Sequence, residues 1–127
     1  MLNIKFINVT VQKHIMQDES YFIKYLGSSP MIKILDCLLT FREYDYSLTE
    51  ISENSGVSWS TINNIFPKLI KLNVVLETRK IGRATLYKLN EDNPVVQQMI
   101  ILEEEIIREV SGMKVITKKT VQNPSLF

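Results

Sequence analysis

Apolar positions recur at helical spacing along most of this chain, interrupted by one stretch of β character. From Asp18 the pattern turns helical: Asp18 is placed to cap, Phe22 and Leu26 share a face, and Gly27 can close the turn in a left-handed conformation. Ser28-Ser29-Pro30 signals a second start, with Ser29 as N-cap and Pro30 at the first helical position, where its missing N–H is harmless. That helix is expected to run to about Phe41 and to bury Ile32, Leu35, Leu38 and Leu39 as a core stripe. Cys37 falls inside it and reads as a buried structural thiol. Ser47 and Glu50 form a capping box that opens a short helix ending near Ser55-Gly56, and a further helix begins at Ser58. Residues 74–80 and 84–89 are rich in β-branched and aromatic side chains and are joined around Ile81-Gly82, which predicts a hairpin. Asn93-Pro94 repeats the cap-plus-proline signal and opens a last helix to about Val110. Ahead of Asp18 no single period holds, so that segment is either a short strand or a loosely held arm. The expected organisation is an N-terminal arm (1–17), one domain (18–90), a dimerisation helix (91–113) and a mobile tail (114–127).

Residues 48–66, LTEISENSGVSWSTINNIF, satisfy the physical demands of a helix-turn-helix. Two steeply crossed helices need a small residue where they approach, and Ser52 supplies it. The turn needs a residue tolerant of positive φ, which is Gly56. The second helix needs a branched apolar residue facing inward, which is Ile62, backed by Ile51, Val57, Phe66 and Leu69. A two-stranded hairpin with a basic tip follows directly, and that order is the winged-helix order. The fold class expected is therefore mainly α with a small β-hairpin: a winged helix-turn-helix with a C-terminal dimerisation helix. One position departs from the pattern. Pro67 lies inside the second helix, where it removes a backbone hydrogen bond and is expected to kink the helix or loosen its second half, at roughly 3 kcal/mol if unrelieved. Asn73, where glycine is commoner, tolerates the geometry of a helix end.

Charge sharpens the picture. The net charge of +1 over 127 residues conceals two opposed segments. Residues 56–90 carry six basic side chains against the single acid Glu77, and residues 91–110 carry six acids against Arg108. The first segment has the balance a phosphate-facing surface requires. No apolar run approaches the ~20 residues of a membrane span, and the N-terminal residues lack the features of a secretory signal. One cysteine allows no internal disulfide and suits a reducing cytoplasm. With His14 as the only histidine and Cys37 the only cysteine, one chain falls short of the usual set of Cys and His ligands for zinc. No cofactor or small-molecule motif is evident.

The segments YLGSSPMIKILDCLL, YSLTEISENSGVSWSTI and ETRKIGRATLYKLNEDNP resemble archaeal winged-helix transcriptional regulators related to the ArsR and MarR groups, over residues 25–108. The resemblance implies a dimeric DNA-binding fold, with a recognition helix from Ser58 and a wing between Arg79 and Arg83. Metal-sensing ArsR members carry paired cysteines; with Cys37 alone, metal sensing is not implied.

The residues themselves suggest how such a surface works. Ser58, Trp59, Ser60, Thr61, Asn63 and Asn64 lie on the recognition helix. Asparagine can bond adenine N6 and N7 together, and a hydroxyl can reach a base or a phosphate. Lys68 and Lys71 are placed either to meet the DNA backbone or, one or both, to be merely solvated. Trp59 has three readings: it folds back on the domain, packs on a sugar or thymine methyl, or meets another protein. Arg79, Lys80 and Arg83 crowd the wing, with Arg83 or Lys80 expected in a minor groove and the others on phosphates. On the last helix Val95, Met99, Leu102, Ile106 and Val110 form an apolar stripe that a second copy would cover, the alternative being that it packs wholly within the monomer. Catalysis is not expected, because nucleophile–base pairs and glycine-rich phosphate loops are missing from the sequence, and Glu103-Glu104-Glu105 reads as a solvated helical face. The expected function is a cytoplasmic, homodimeric, sequence-specific binder of double-stranded DNA that regulates transcription. Two competitors stand: a winged-helix module that binds protein, and an architectural or partition DNA binder.

Overall fold

The computed structural model describes residues 19–116. The expected arm over 1–17, the Asp18 cap and the tail from 117 onward lie outside the described residues. Helix α1 (Tyr21–Leu26) is capped by Ser20, whose hydroxyl accepts from the Ile23 N–H at 3.2 Å. Gly27 ends it at φ 95° and ψ 169°, a positive φ but outside the left-handed helical region that the sequence suggested. Helix α2 (Pro30–Thr40) starts as expected, with Ser29 accepting from the Ile32 N–H. Its buried arc is wider than the predicted stripe. Ile34, Cys37, Leu38 and Leu39 are buried while Ile32 and Leu35 are only partly so. The reason is position: α2 packs against several other helices and the sheet, so no single stripe can serve all of its neighbours. Cys37 is buried as expected, with Asn54 Nδ2 at 3.3 Å from its sulfur.

A short strand β1 (Tyr46–Ser47), unexpected from the residue pattern, precedes helix α3 (Leu48–Ser55). Ser47 therefore serves two elements. It pairs with Leu86 in the sheet and caps α3 with both halves of the capping box in place. Gly56 ends α3 in the left-handed conformation (φ 74°), and Ser52 Oγ donates to the Val57 carbonyl at 2.6 Å across the turn. Ser52 thus pins the turn as well as allowing the helices to approach. Helix α4 (Trp59–Lys71) is capped by Ser58 and runs unbroken through Pro67. The helix continues for four residues beyond the proline, with Phe66 and Leu69 in the core on either side of it.

Strands β2 (Val75–Ile81) and β3 (Ala84–Leu89) form the hairpin, with Gly82 at φ 61° in its two-residue loop. The sheet order is β1-β3-β2, antiparallel throughout, with one bulge at Thr78. Helix α5 (Pro94–Ile116) continues beyond the expected end near Val110. The core joins Phe22, Ile34, Leu39, Tyr46, Ile51, Ile62, Phe66, Leu89, Val96 and Ile106, so every helix and the sheet contribute to one interior.

Candidate functional site

Two helices crossing at a left-handed Gly56 and followed by a two-stranded hairpin make this a winged helix-turn-helix fold, with α4 as its second helix and the β2–β3 loop as its wing. Helix α4 is fixed to the body by Ile62, Phe66 and Leu69. Phe66 meets Tyr87 of β3 edge-on at 4.9 Å between ring centroids, which couples the helix to the wing through one aromatic contact.

With the core side occupied, helical periodicity turns Ser60, Asn64, Pro67 and Lys71 to the opposite meridian, and all four are exposed. Sequence reading placed Ser60 and Asn64 on this surface and treated Pro67 only as a disturbance. Trp59 is 57% exposed, so it does not fold back on the domain, which removes the first of its three readings. Lys68 is exposed on one flank of the meridian.

Other expected site residues are already engaged. Ser58 Oγ caps α4 by accepting from the Thr61 N–H, and it donates to Thr61 Oγ1 at 2.8 Å. Asn63 is half-buried, and its Nδ2 donates to the Trp59 carbonyl at 2.7 Å. That bond uses one of the two amide hydrogens and fixes the orientation of the side chain against its own helix, so Asn63 is less free than Asn64 to meet a base. Asn64 is exposed and lies on the meridian itself.

On the wing, Lys80 and Arg83 are exposed, and among the described residues neither takes part in an ion pair. Arg79 is different. Its Nε and Nη2 donate to the two oxygens of Asp45, at 2.9 and 3.1 Å. Thr78 Oγ1 donates to the same carboxylate at 2.6 Å. Arg79 holds the Asp45 carboxyl below the usual aspartate range, so the group stays ionised. Asp45 was not singled out from the sequence, and nothing local could have marked it, because its partner lies 34 residues away.

The stripe expected on the last helix divides. Ile106 is 4% exposed and belongs to the chain's own core, with Met99 and Val110 packed against that core. Val95 and Leu102 are exposed, together with Ile101 and Ile107. The acidic run divides too. Glu104 and Glu105 are solvated as expected, whereas Glu103 is buried and bonded to Arg42. Among the described residues no group of His, Cys, Asp and Glu is arranged to hold a metal ion, and no helix is long and apolar enough to cross a membrane.

No protein-family model and no curated protein matches this chain. Solved structures do. A double mutant of ZitR from Lactococcus lactis, in apo form, aligns with a TM-score of 0.54 at 18% identity, covering 94% of this chain and 89% of its own. A second structure of that mutant also gives 0.54, at 16% identity, over 94% of this chain and 90% of its own. Sso10a-2, a DNA-binding protein from Sulfolobus solfataricus, aligns over 65% of this chain and 85% of its own, at 15% identity and a TM-score of 0.46. The likeness to ZitR is one of fold, across nearly the whole of both chains.

Proposed function

We infer that this protein is a homodimeric transcription regulator that binds double-stranded DNA, of the archaeal ArsR- and MarR-related kind its sequence resembles. One observation carries the reading. The exposed meridian of α4 is free of acidic side chains and adjoins a hairpin whose tip presents Lys80, near the end of β2, and Arg83, in the loop. A helix of this width fits the major groove, where Ser60 and Asn64 can meet base edges and the Pro67 ring can meet a thymine methyl. The wing then reaches the flanking backbone or minor groove, and Lys68 and Lys71 add phosphate contacts. Charge orients the approach, since the basic residues gather on α4 and the wing while Glu104, Glu105 and Glu109 are exposed on α5.

The second copy is inferred from apolar surface. Helix α1 packs against α5, and the two leave Tyr21, Tyr25, Leu26, Val95, Ile101, Leu102 and Ile107 exposed. A symmetric partner using the same patch would cover these residues and set two recognition helices about one DNA turn apart, favouring a palindromic site. The setting that suits a single cysteine is the cytoplasm.

Titrating a labelled duplex by fluorescence anisotropy at several salt concentrations tests the reading. Binding should weaken steeply with salt, in proportion to the phosphates contacted. Absence of binding at low salt would refute it and turn attention to a protein partner at exposed Trp59, which together with the lack of arginine on α4 favours a protein-binding module.

A further inference from the structure

We propose that Asp45 is an internal competitor for DNA phosphate at the wing: a residue that never touches DNA but holds down the wing's affinity by occupying Arg79. The proposal rests on the reading of α4 and the wing as a DNA-binding surface.

The geometry is specific. Asp45 stands just ahead of β1, and in the order β1-β3-β2 it must reach past the middle strand to meet β2. It does so through three donated hydrogen bonds, from Thr78 Oγ1, Arg79 Nε and Arg79 Nη2. Thr78 and Arg79 are neighbours on one strand, and in a regular strand neighbouring side chains point to opposite faces. The bulge that falls between Glu77 and Arg79 lifts that restriction and lets both converge on one carboxylate. A backbone irregularity is thus placed where it serves this contact.

The chemistry explains what the contact does. A guanidinium takes a carboxylate and a phosphate with the same two-pronged geometry, so Asp45 sits where a DNA phosphate would bind Arg79. The Arg79 side chain is 60% exposed while the Asp45 side chain is only 17% exposed, so a guanidinium open to solvent meets a partly covered carboxylate. An ion pair of this kind is weak, equivalent to at most about a fivefold change in affinity, and that is the most Asp45 costs the wing by keeping Arg79 off a phosphate. In the free protein the wing therefore offers Lys80 and Arg83, while Arg79 is held in reserve and its charge is cancelled. Because phosphate contacts are blind to sequence, the effect falls equally on every duplex.

The test titrates the native protein, Asp45→Asn, Arg79→Gln and the double variant against a random-sequence duplex, between 50 and 200 mM salt on the order used to resolve counterion release. Asp45→Asn should tighten binding by up to about fivefold and steepen the slope of log affinity against log salt by about 0.9, one more phosphate contact. Arg79→Gln in the otherwise native chain should leave the slope unchanged, and it should abolish the gain made by Asp45→Asn. A merely structural strut gives the opposite sign: Asp45→Asn would loosen the wing and weaken binding, which overturns the proposal. A slope that falls by about 0.9 on Arg79→Gln alone also overturns it, since Arg79 would then already be on a phosphate. That second measurement keeps the proposal exposed to refutation even if Asp45→Asn folds poorly. Failure of the native protein to bind any duplex at low salt is a different result; it refutes the DNA reading and this proposal with it.

Discussion

Arg42, in the turn after α2, donates from Nη1 to Oε1 of Glu103 on α5 at 2.8 Å, and the pair fastens the long helix to the helical body. The same nitrogen also donates to the Leu39 carbonyl, and Nη2 reaches Glu104 at 3.4 Å. Glu103 is only 8% exposed, and burial pushes its carboxyl above the ordinary value of 4.5 despite the guanidinium beside it. Desolvation thus outweighs attraction at this site.

The raised value has a pH consequence of definite sign. A carboxyl that binds its proton more tightly in the folded state stabilises the fold least once it is ionised. Its contribution declines as pH rises from about 4.5 through the raised folded value. Glu103→Gln, which keeps an acceptor for Arg42 but cannot ionise, should gain on the native protein across that interval. Melting temperatures of the two proteins measured from pH 4 to 7 should diverge in favour of glutamine; a gap that stays constant or moves the other way contradicts the account.

Pro67 makes a separate prediction about stability. It leaves the Asn63 carbonyl without its helical N–H partner in the middle of α4. Pro67→Ala should restore that bond and raise stability by as much as about 3 kcal/mol in urea unfolding. No gain, or a loss, would mean that ring packing outweighs the missing bond.

Asn63 and Asn64 are adjacent in sequence but unequal in structure. Asn64→Ala should cost about 1–3 kcal/mol of discrimination between the preferred site and its single-base variants. Asn63→Ala should cost less, because its amide is already committed to Trp59. Competition titrations against a panel of variant duplexes would separate them, and the reverse ranking would refute the assignment of the outward face.

Dimerisation is tested at Leu102. A charge placed there by Leu102→Glu should give a folded monomer by light scattering, because the side chain is exposed in the single chain. The comparison variant is Ile106→Glu, which should unfold the protein, since Ile106 is in the core. A Leu102→Glu protein that remains dimeric removes this face from the interface.

What could be foreseen from sequence follows from the range of each interaction. Ser29, Ser47 with Glu50, Ser58 and Gly56 act within a few residues of themselves, so their spacing alone revealed the helix starts and the turn. Ile62, Phe66 and Leu69 were legible for the same reason, since periodicity gives the inward face of a helix. Strand β1 was not legible, because two residues have no period and depend wholly on β3 for pairing. The inward turn of Ile106 and Glu103 was missed because α5 is apolar around most of its girth, and only the position of α2 decides which side is buried. Arg79 read as a free wing cation until the fold brought Asp45 beside it. Pro67 read only as a disturbance because propensity describes an isolated helix, and here core residues stand on either side of it in α4.

The most direct test of the central claim is an anisotropy titration with two duplexes at the same salt: the DNA upstream of the protein's own coding sequence, and a scrambled version of it. A sequence-specific regulator should prefer the upstream duplex by at least about 10³-fold and bind it as a dimer. Equal, salt-steep binding to both would contradict sequence-specific regulation at that site and favour an architectural role, and no binding to either would contradict DNA recognition altogether.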